Sequence, residues 1–340
     1  MFKTVKVEDA IGMAIAHDLT KIVPNEYKGP AFKKGHIISS DDVQKLKDMG
    51  KYHIYVLEIE EGVIHENEAA DRIAACAVGN GLICSKPSEG KITIKSSIDG
   101  VLKINSEALF EVNSVDQVMF STIHGNSVLE KDKKVAGTRV IPLVIDEKQI
   151  EKVQNICREK GPLIWARPFL NKKAGIVVTG SEVFDGRIKD KFGPVMEEKF
   201  RKLGIEVLAT EYSRDDAEMT AGKIENLIKQ GAEIIICAGG MSVDPDDLTP
   251  AAIKAVSDEV VTYGAPVLPG AMFMLAYKGD VAIMGVPACA MFHRATALEL
   301  VLPRIITGER MSKGDIVRMG EGGFCLGCDV CTYPVCPFGK

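Results

Sequence analysis

Hydrophobic and polar positions along the chain change rhythm near Lys172. Before that point short apolar runs are broken by turn residues. His53 to Ile59 reads as a strand, preceded by a short helix over Asp41 to Met49 that Gly50 ends. Lys91 to Ile94 and Val101 to Ile104 flank Asp99-Gly100, a pair that supplies the positive φ of a type I′ hairpin turn. Asn67 to Val78 carries Ala70, Ile73, Ala74 and Ala77 on one helical face. Asp146 is placed to cap a helix running to Lys160, with Ile150, Val153 and Cys157 at helical spacing and Gly161-Pro162 as its stop. Residues 1–148 therefore read as a β-rich α+β domain and 149–171 as a linker helix.

From residue 172 to 312, apolar β-branched runs alternate with amphipathic helices. The strands are Ala174 to Thr179, Ile205 to Thr210, Glu233 to Ala238 and Val281 to Met284. A helix carrying Phe192, Val195, Phe200 and Leu203 on one face follows the first. A second spans Asp215 to Lys229, and a third runs from Ala288 to about Leu302. Strand, helix, strand, helix at this spacing predicts an α/β domain with a mostly parallel sheet covered on both faces, in which ligands bind at the carboxyl ends of the strands.

Three loops leave those ends. The first begins Thr179-Gly180-Ser181-Glu182 and reaches Asp190. The second is Gly239-Gly240-Met241-Ser242-Val243-Asp244-Pro245-Asp246-Asp247-Leu248-Thr249. The third is Gly285-Val286-Pro287, and Leu268-Pro269-Gly270 enters before the last strand. A Gly-Gly pair after an apolar strand lets backbone N–H groups turn toward an anion without Cβ obstruction, which suits a phosphate. Asp246 and Asp247, with Asp244 close by, offer hard oxygen ligands, which favour Mg²⁺ bridging substrate phosphates over a soft metal. The same residues would also serve simply to cap a helix and turn the chain.

Composition narrows the partners. Forty-two Lys and Arg against 47 Asp and Glu leave a net charge of −5, which gives no basic character to attract nucleic acid or anionic membrane. No run approaches 18 uncharged apolar residues, so a cytoplasmic protein is expected. Nine cysteines are present, and four fall within residues 313–340, a Cys-rich tail: Cys325, Cys328, Cys331 and Cys336. Their spacing, C-x2-C-x2-C-x4-C-P, is one residue longer in its last gap than the bacterial ferredoxin run. Four thiolates in 12 residues could surround a tetrahedral Zn²⁺ or ligate an iron–sulfur cluster. Cys76, Cys157 and Cys237 fall on apolar faces and read as small core residues.

The ordered series T-G-S-E-V-x-x-G-R-I-x-D, G-G-x-S-x-x-P-D-D-L-T, L-P-G and G-V-P resembles the molybdopterin-binding domain of molybdenum-cofactor biosynthesis proteins. The likeness covers roughly Ala174 to Gly308 and implies a three-layer domain. More loosely, Ala14 to Leu19, Lys34-Gly35-His36 and Ala136-Gly137-Thr138 resemble the N-terminal domains of molybdopterin molybdenumtransferases. The resemblance implies that molybdopterin or its adenylylated form is held by Thr179, Gly180, Ser181, Gly239, Gly240, Ser242, Pro269, Gly270, Gly285 and Pro287. It further implies that Glu182, Asp190 and Asp247 are catalytic, with Mg²⁺ near Asp246 and Asp247 and molybdate as the group inserted. A homo-oligomer that serves a molybdoenzyme is expected. Lys191 and Phe192 stand where the family usually has Ser and Asn, and Val286-Pro287 where it carries Asn-Pro. These departures keep open a binder, carrier or sensor without turnover.

Overall fold

The computed structural model of the chain describes residues 3–23, 27–56 and 62–340. These form two compact units, one of Met1–Ser97, Ile104–Ile123 and Lys131–Ala166, the other of Ile98–Lys103, His124–Glu130 and Arg167–Lys340.

The first unit is built from antiparallel pairs. Its four-stranded sheet has the spatial order Leu82–Cys84, Lys91–Ser96, Lys134–Val140, Val118–Thr122. Helix Glu66–Ala77 packs on it, burying Ala69, Ala70, Ile73, Ala74 and Ala77. Against that helix lies Glu147–Lys160, whose Ile150, Val153 and Cys157 point inward and whose Asp146 carboxylate accepts the Lys148 N–H at 2.9 Å. The strand expected over 53–59 is seen as His53–Val56, paired with Lys3–Lys6; residues 57–59 lie outside those described.

The Asp99-Gly100 hairpin does not form. Lys91–Ser96 pairs with Lys134–Val140 and Leu82–Cys84, whereas Gly100–Ile104 pairs with Val128–Leu129. Gly100 lies outside the left-handed region. It is glycine for a different reason, since a Cβ there would collide with the Arg167 carbonyl oxygen.

The second unit is centred on a six-stranded sheet: β1 (Lys173–Thr179), β2 (Glu206–Ser213), β3 (Ile234–Ala238), β4 (Glu259–Tyr263), β5 (Met274–Lys278) and β6 (Val281–Val286). Its spatial order is β2-β1-β3-β6-β5-β4, parallel through the first four and antiparallel at the last two. Side chains alternate between two cores, as pleating requires. Ile176, Val178, Ile234, Ile236 and Met284 face α1 (Phe192–Lys202) and α4 (Ala297–Ile306). Val177, Ile235 and Ile283 face α2 (Ala217–Lys229) and α3 (Thr249–Val256). These strand residues are almost fully buried, and each aliphatic side chain so placed contributes about 1.5–3 kcal/mol. The strands therefore anchor their own carboxyl ends.

Two strands, β4 and β5, are additional to the alternating pattern read from the sequence. The helix expected from Ala288 to Leu302 is broken. A 3₁₀ turn over Ala288–Met291 ends near Phe292, and α4 starts afresh at Thr296. There the Thr296 hydroxyl accepts the Leu298 N–H at 3.2 Å, and the Glu299 carboxylate accepts the Thr296 N–H at 2.7 Å. This capping box outcompetes continuation of the helix.

Candidate functional site

The sheet order places the chain reversal between β1 and β3, since β1 runs on to β2 on one side while β3 lies on the other. A crevice at such a switch point is where open α/β sheets bind ligands. The register aligns Val178 with Ala238 and Ala238 with Val286. The loops starting at Thr179, Gly239 and Pro287 thus leave the sheet side by side.

Backbone crowding at the switch point dictates the glycines. Gly239 has φ +101°, and a Cβ there would strike the Thr179 carbonyl oxygen. Gly240 has φ +56°, and its Cβ would stand 2.6 Å from the Thr249 Oγ1. Thr249, nearly fully buried, locks the loop. Its hydroxyl donates to the Gly239 carbonyl at 2.9 Å and meets the Thr179 hydroxyl at 3.1 Å, while its N–H donates to the Gly240 carbonyl at 3.3 Å. Within a trans peptide the N–H opposes the C=O. The N–H groups of Gly240 and Met241 are therefore directed away from Thr249, a nest-like pair suited to an anion. At the third strand, a Cβ on Gly285 would come within 2.5 Å of the Met241 side chain, so glycine here makes room for the second loop. Pro287 precedes the Ala288–Met291 turn.

Asp247 closes the same loop. Its N–H donates to the Asp244 carbonyl at 3.0 Å, and its Oδ2 is buried without a hydrogen-bond partner. A buried unpaired carboxylate oxygen is costly and points to a ligand that completes it. Asp246 and Ser242 are exposed on the rim. Tyr263, at the end of β4, donates to the Ser242 carbonyl at 3.4 Å and the Met241 carbonyl at 3.3 Å. Burial, and then the charge of Asp247, push the Tyr263 hydroxyl pKa upward, keeping it protonated. Sequence reasoning missed this tyrosine. The only cue was Gly264 after a β-branched run.

The first loop is tied to the loop after β2. Ser181 donates its N–H to Asp215 Oδ2 at 2.9 Å, Asp215 returns its own N–H to Ser181 Oγ at 3.2 Å, and the Gly180 N–H goes to the Ser213 carbonyl at 3.1 Å. The amides of Gly180 and Ser181 are thereby engaged within the protein. Glu182 is exposed on the short helical turn Ser181–Phe184, its carboxylate folded over Gly180. Asp185 holds Arg187 at 3.0 Å and Arg214 at 2.8 Å, so Arg187 pairs with Asp185 and not with Asp190.

Asp190 is placed differently from Asp247. Its Oδ1 accepts the N–H groups of Phe192 at 2.7 Å and Gly193 at 3.1 Å, and its Oδ2 accepts the Tyr212 hydroxyl at 3.1 Å. It therefore caps α1. Pro269 and Gly270 lie at the start of α4, where Gly270 has φ +122° and a Cβ would stand 2.7 Å from the Ala297 nitrogen.

The four tail cysteines border one cavity of about 270 Å³, with His293, Arg294, Tyr333 and Phe338 among its other walls. Among the described residues no three His, Cys, Asp or Glu side chains converge closely enough to hold a single ion. A larger cavity of about 780 Å³ is lined by Pro194, Lys199, Phe292, His293, Arg294 and Tyr333 and includes none of the residues expected to hold pterin. The strand-end loops remain the better candidate, because crowded glycines and an orphaned carboxylate are specific where cavity size is not. No helix of the described residues is long and apolar enough to cross a membrane.

Comparison with known proteins bears on this site. Residues 175–307 match the family model described as "Probable molybdopterin binding domain", and residues 4–58 match a "Domain of unknown function (DUF8806)". A CinA-like protein of Mycobacterium sp. (strain MCS) is 33% identical over 84 residues, covering 25% of this chain and 20% of that protein. One from Mycobacterium tuberculosis (strain ATCC 25618 / H37Rv) is 31% identical over 80 residues, covering 24% and 19%. This chain thus spans about a fifth of the length of these curated relatives. Among solved structures, the molybdopterin biosynthesis enzyme MoaB of Thermus thermophilus has 22% identity, a TM-score of 0.35 and coverage of 41% of this chain and 98% of that one. The tungsten cofactor synthesizing protein MoaB of Pyrococcus furiosus has 20% identity, a TM-score of 0.34 and coverage of 40% and 92%. Residues 175–307 of this chain, which hold the sheet and the three loops at its carboxyl edge, are thus similar to the molybdopterin-binding domain.

Proposed function

We propose that this domain binds molybdopterin or its adenylylated form at the switch point, and that the protein catalyses or assists Mg²⁺-dependent molybdate insertion. The observation that carries the reading is Asp247 Oδ2, buried and unpartnered beside a glycine loop whose amides are turned to receive an anion. Gly240 and Met241 N–H groups would hold the pterin phosphate, and Asp247 with Asp246 would hold Mg²⁺. When bound, Mg²⁺ neutralises phosphate charge. Thr179 and Thr249 fix the loop, Tyr263 holds it through the Met241 and Ser242 carbonyls, and Glu182 stands exposed at the first loop. The protein acts in the cytoplasm as a homo-oligomer that serves a molybdoenzyme, and its tail cysteines ligate a metal centre.

One observation favours a second reading, a carrier or sensor that binds without turnover. Asp190 already has both oxygens occupied in capping α1, which removes one of the three acids from reaction chemistry. Incubation with adenylylated molybdopterin, Mg²⁺ and molybdate separates the two. AMP release that is lost in Asp247→Ala supports insertion. Tight pterin binding without AMP release supports the carrier, and no pterin binding at all overturns both.

A further inference from the structure

We infer that the segment Cys325–Cys336 holds a four-iron, four-sulfur cluster in the cavity its thiols border, and that the cluster stiffens the backbone leading into Pro269-Gly270. The cluster stands apart from the pterin reading; only the importance of its influence on that loop rests on it.

All four cysteines face one space. Cys325 and Cys336 are half-buried against the core of the second unit, and Cys328 and Cys331 are exposed. The last gap is one residue longer than in the ferredoxin run. The excess is taken up by a turn in which the Val335 N–H donates to the Thr332 carbonyl at 2.8 Å. That turn shortens the span so that Cys331 and Cys336 border the same cavity.

Ligand spacing and walls then select the occupant. A zinc ion bound by four thiolates needs sulfurs about 2.3 Å from one point and leaves no space between them. The four cysteines here line about 270 Å³, and among the described residues no three such side chains converge closely enough for a single ion. The walls suit a half-buried anionic cluster, for Phe338 is 3% exposed, and Arg294 lines the cavity and donates to the Cys331 carbonyl at 3.3 Å. Nearby charge and burial tune the potential of such clusters. Assembly balances without an external oxidant: two ferrous and two ferric ions with four sulfides form the core, and the four thiols give up their protons to solvent as they bind iron.

The segment is also seated on the candidate site. Leu268 donates its N–H to the Gly323 carbonyl at 2.8 Å, and the Cys325 N–H returns to the Leu268 carbonyl at 2.8 Å. A cluster ligand is therefore one hydrogen bond from the residue before Pro269. The other end of the tail is held too, because Tyr333 donates to the Glu299 carbonyl at 3.3 Å and the Gly339 N–H donates to the Gly322 carbonyl at 2.9 Å. Such prior ordering lowers the entropic cost of bringing four ligands together.

The test uses the full chain, purified without oxygen and reconstituted with iron and sulfide. About four iron and four acid-labile sulfide per chain are expected, with broad visible absorption that bleaches on reduction. Both should be lost when Cys328 and Cys331, the exposed pair, are replaced by Ser with the fold intact by circular dichroism. One zinc per chain that excludes iron, or iron retained in the double variant, overturns the cluster. Hydrogen exchange of the Leu268 and Cys325 amides, read without pterin, should slow at least tenfold on loading. Unchanged exchange overturns the coupling, whatever the outcome for pterin.

Discussion

Replacing Asp247 by Ala should make the ligand-free protein more stable, not less. Asp247 Oδ2 is buried without a hydrogen-bond partner, and an unsatisfied buried polar group costs about 1–3 kcal/mol. The residue as a whole is half-buried, which places the cost toward the lower end. The loop does not depend on the carboxylate, since Thr249 and Tyr263 hold its backbone through main-chain carbonyls. Removing the side chain should therefore yield about 1 kcal/mol, or roughly 2–4 °C in midpoint for a unit of this size. Thermal and urea unfolding of both proteins, in chelator and then across a Mg²⁺ titration, provide the measurement. At Mg²⁺ ten times its dissociation constant the wild type should gain about 1.4 kcal/mol and the variant nothing. Destabilisation by 1 kcal/mol or more in chelator, or an equal response to Mg²⁺, would refute the reasoning, because the oxygen would then already be satisfied within the fold.

Two further outcomes follow from the second unit. Gly239→Ala should destabilise by about 2–3 kcal/mol in urea titration, since it adds left-handed strain to a backbone clash with Thr179, whereas Gly285→Ala meets the side-chain ends of Met241 and Ile253 and should cost less. Arg304 is paired with Glu309 and Asp315, and Lys103 also reaches Glu309. Burial raises the pKa of both acids, but for Glu309 the bonds from Arg304 and Lys103, and for Asp315 those from Ser312 and then Arg304, outweigh it and hold each below its ordinary value. A depressed folded pKa gives stability that is full above the ordinary carboxylate range near pH 4 and is lost as pH falls through the lower folded values. Unfolding free energy should thus drop as pH falls below about 4, and Glu309→Gln should flatten that drop while costing about 2–3 kcal/mol at neutral pH.

The strands β1, β3 and β6 and their loops were legible because each is marked twice, by a β-branched apolar run and by glycine at or near its end. Fully buried strands such as Ile234–Ala238 show no polar alternation to obscure them. The antiparallel strand β5 was not legible, since Met274-Leu275-Ala276-Tyr277 lacks β-branched residues, whereas β4 had a cue that was passed over, Ser257-Asp258 before the β-branched run Val260-Val261-Thr262. The Asp99-Gly100 pair misled for a physical reason. Glycine serves close approach as readily as positive φ, and only the Arg167 carbonyl distinguishes the two. The break before α4 could have been read from Thr296-Ala297-Leu298-Glu299, a capping box in plain sequence. Acid identity was legible, but acid role was not. Asp190 and Asp247 look alike in the chain, and only their partners separate a helix cap from an unpaired oxygen.

The strand order has a bearing on how the protein is made. In the sheet β2-β1-β3-β6-β5-β4 the pairings across the site join Val178 to Ala238, 60 positions later, and Ala238 to Val286, 48 positions later. Only the antiparallel pairings are local, the β5–β6 turn between Lys278 and Val281 and the β4–β5 connection between Tyr263 and Met274. Long-range parallel pairing is slow to form, and its unpaired edges attract other chains meanwhile. On a ribosome, β1 emerges first, and its loop has only the loop after β2 as a neighbour until β3 and β6 follow. The binding crevice is therefore the last part of the sheet to acquire its shape, and the nascent chain is most exposed to misassembly while that crevice is still half built.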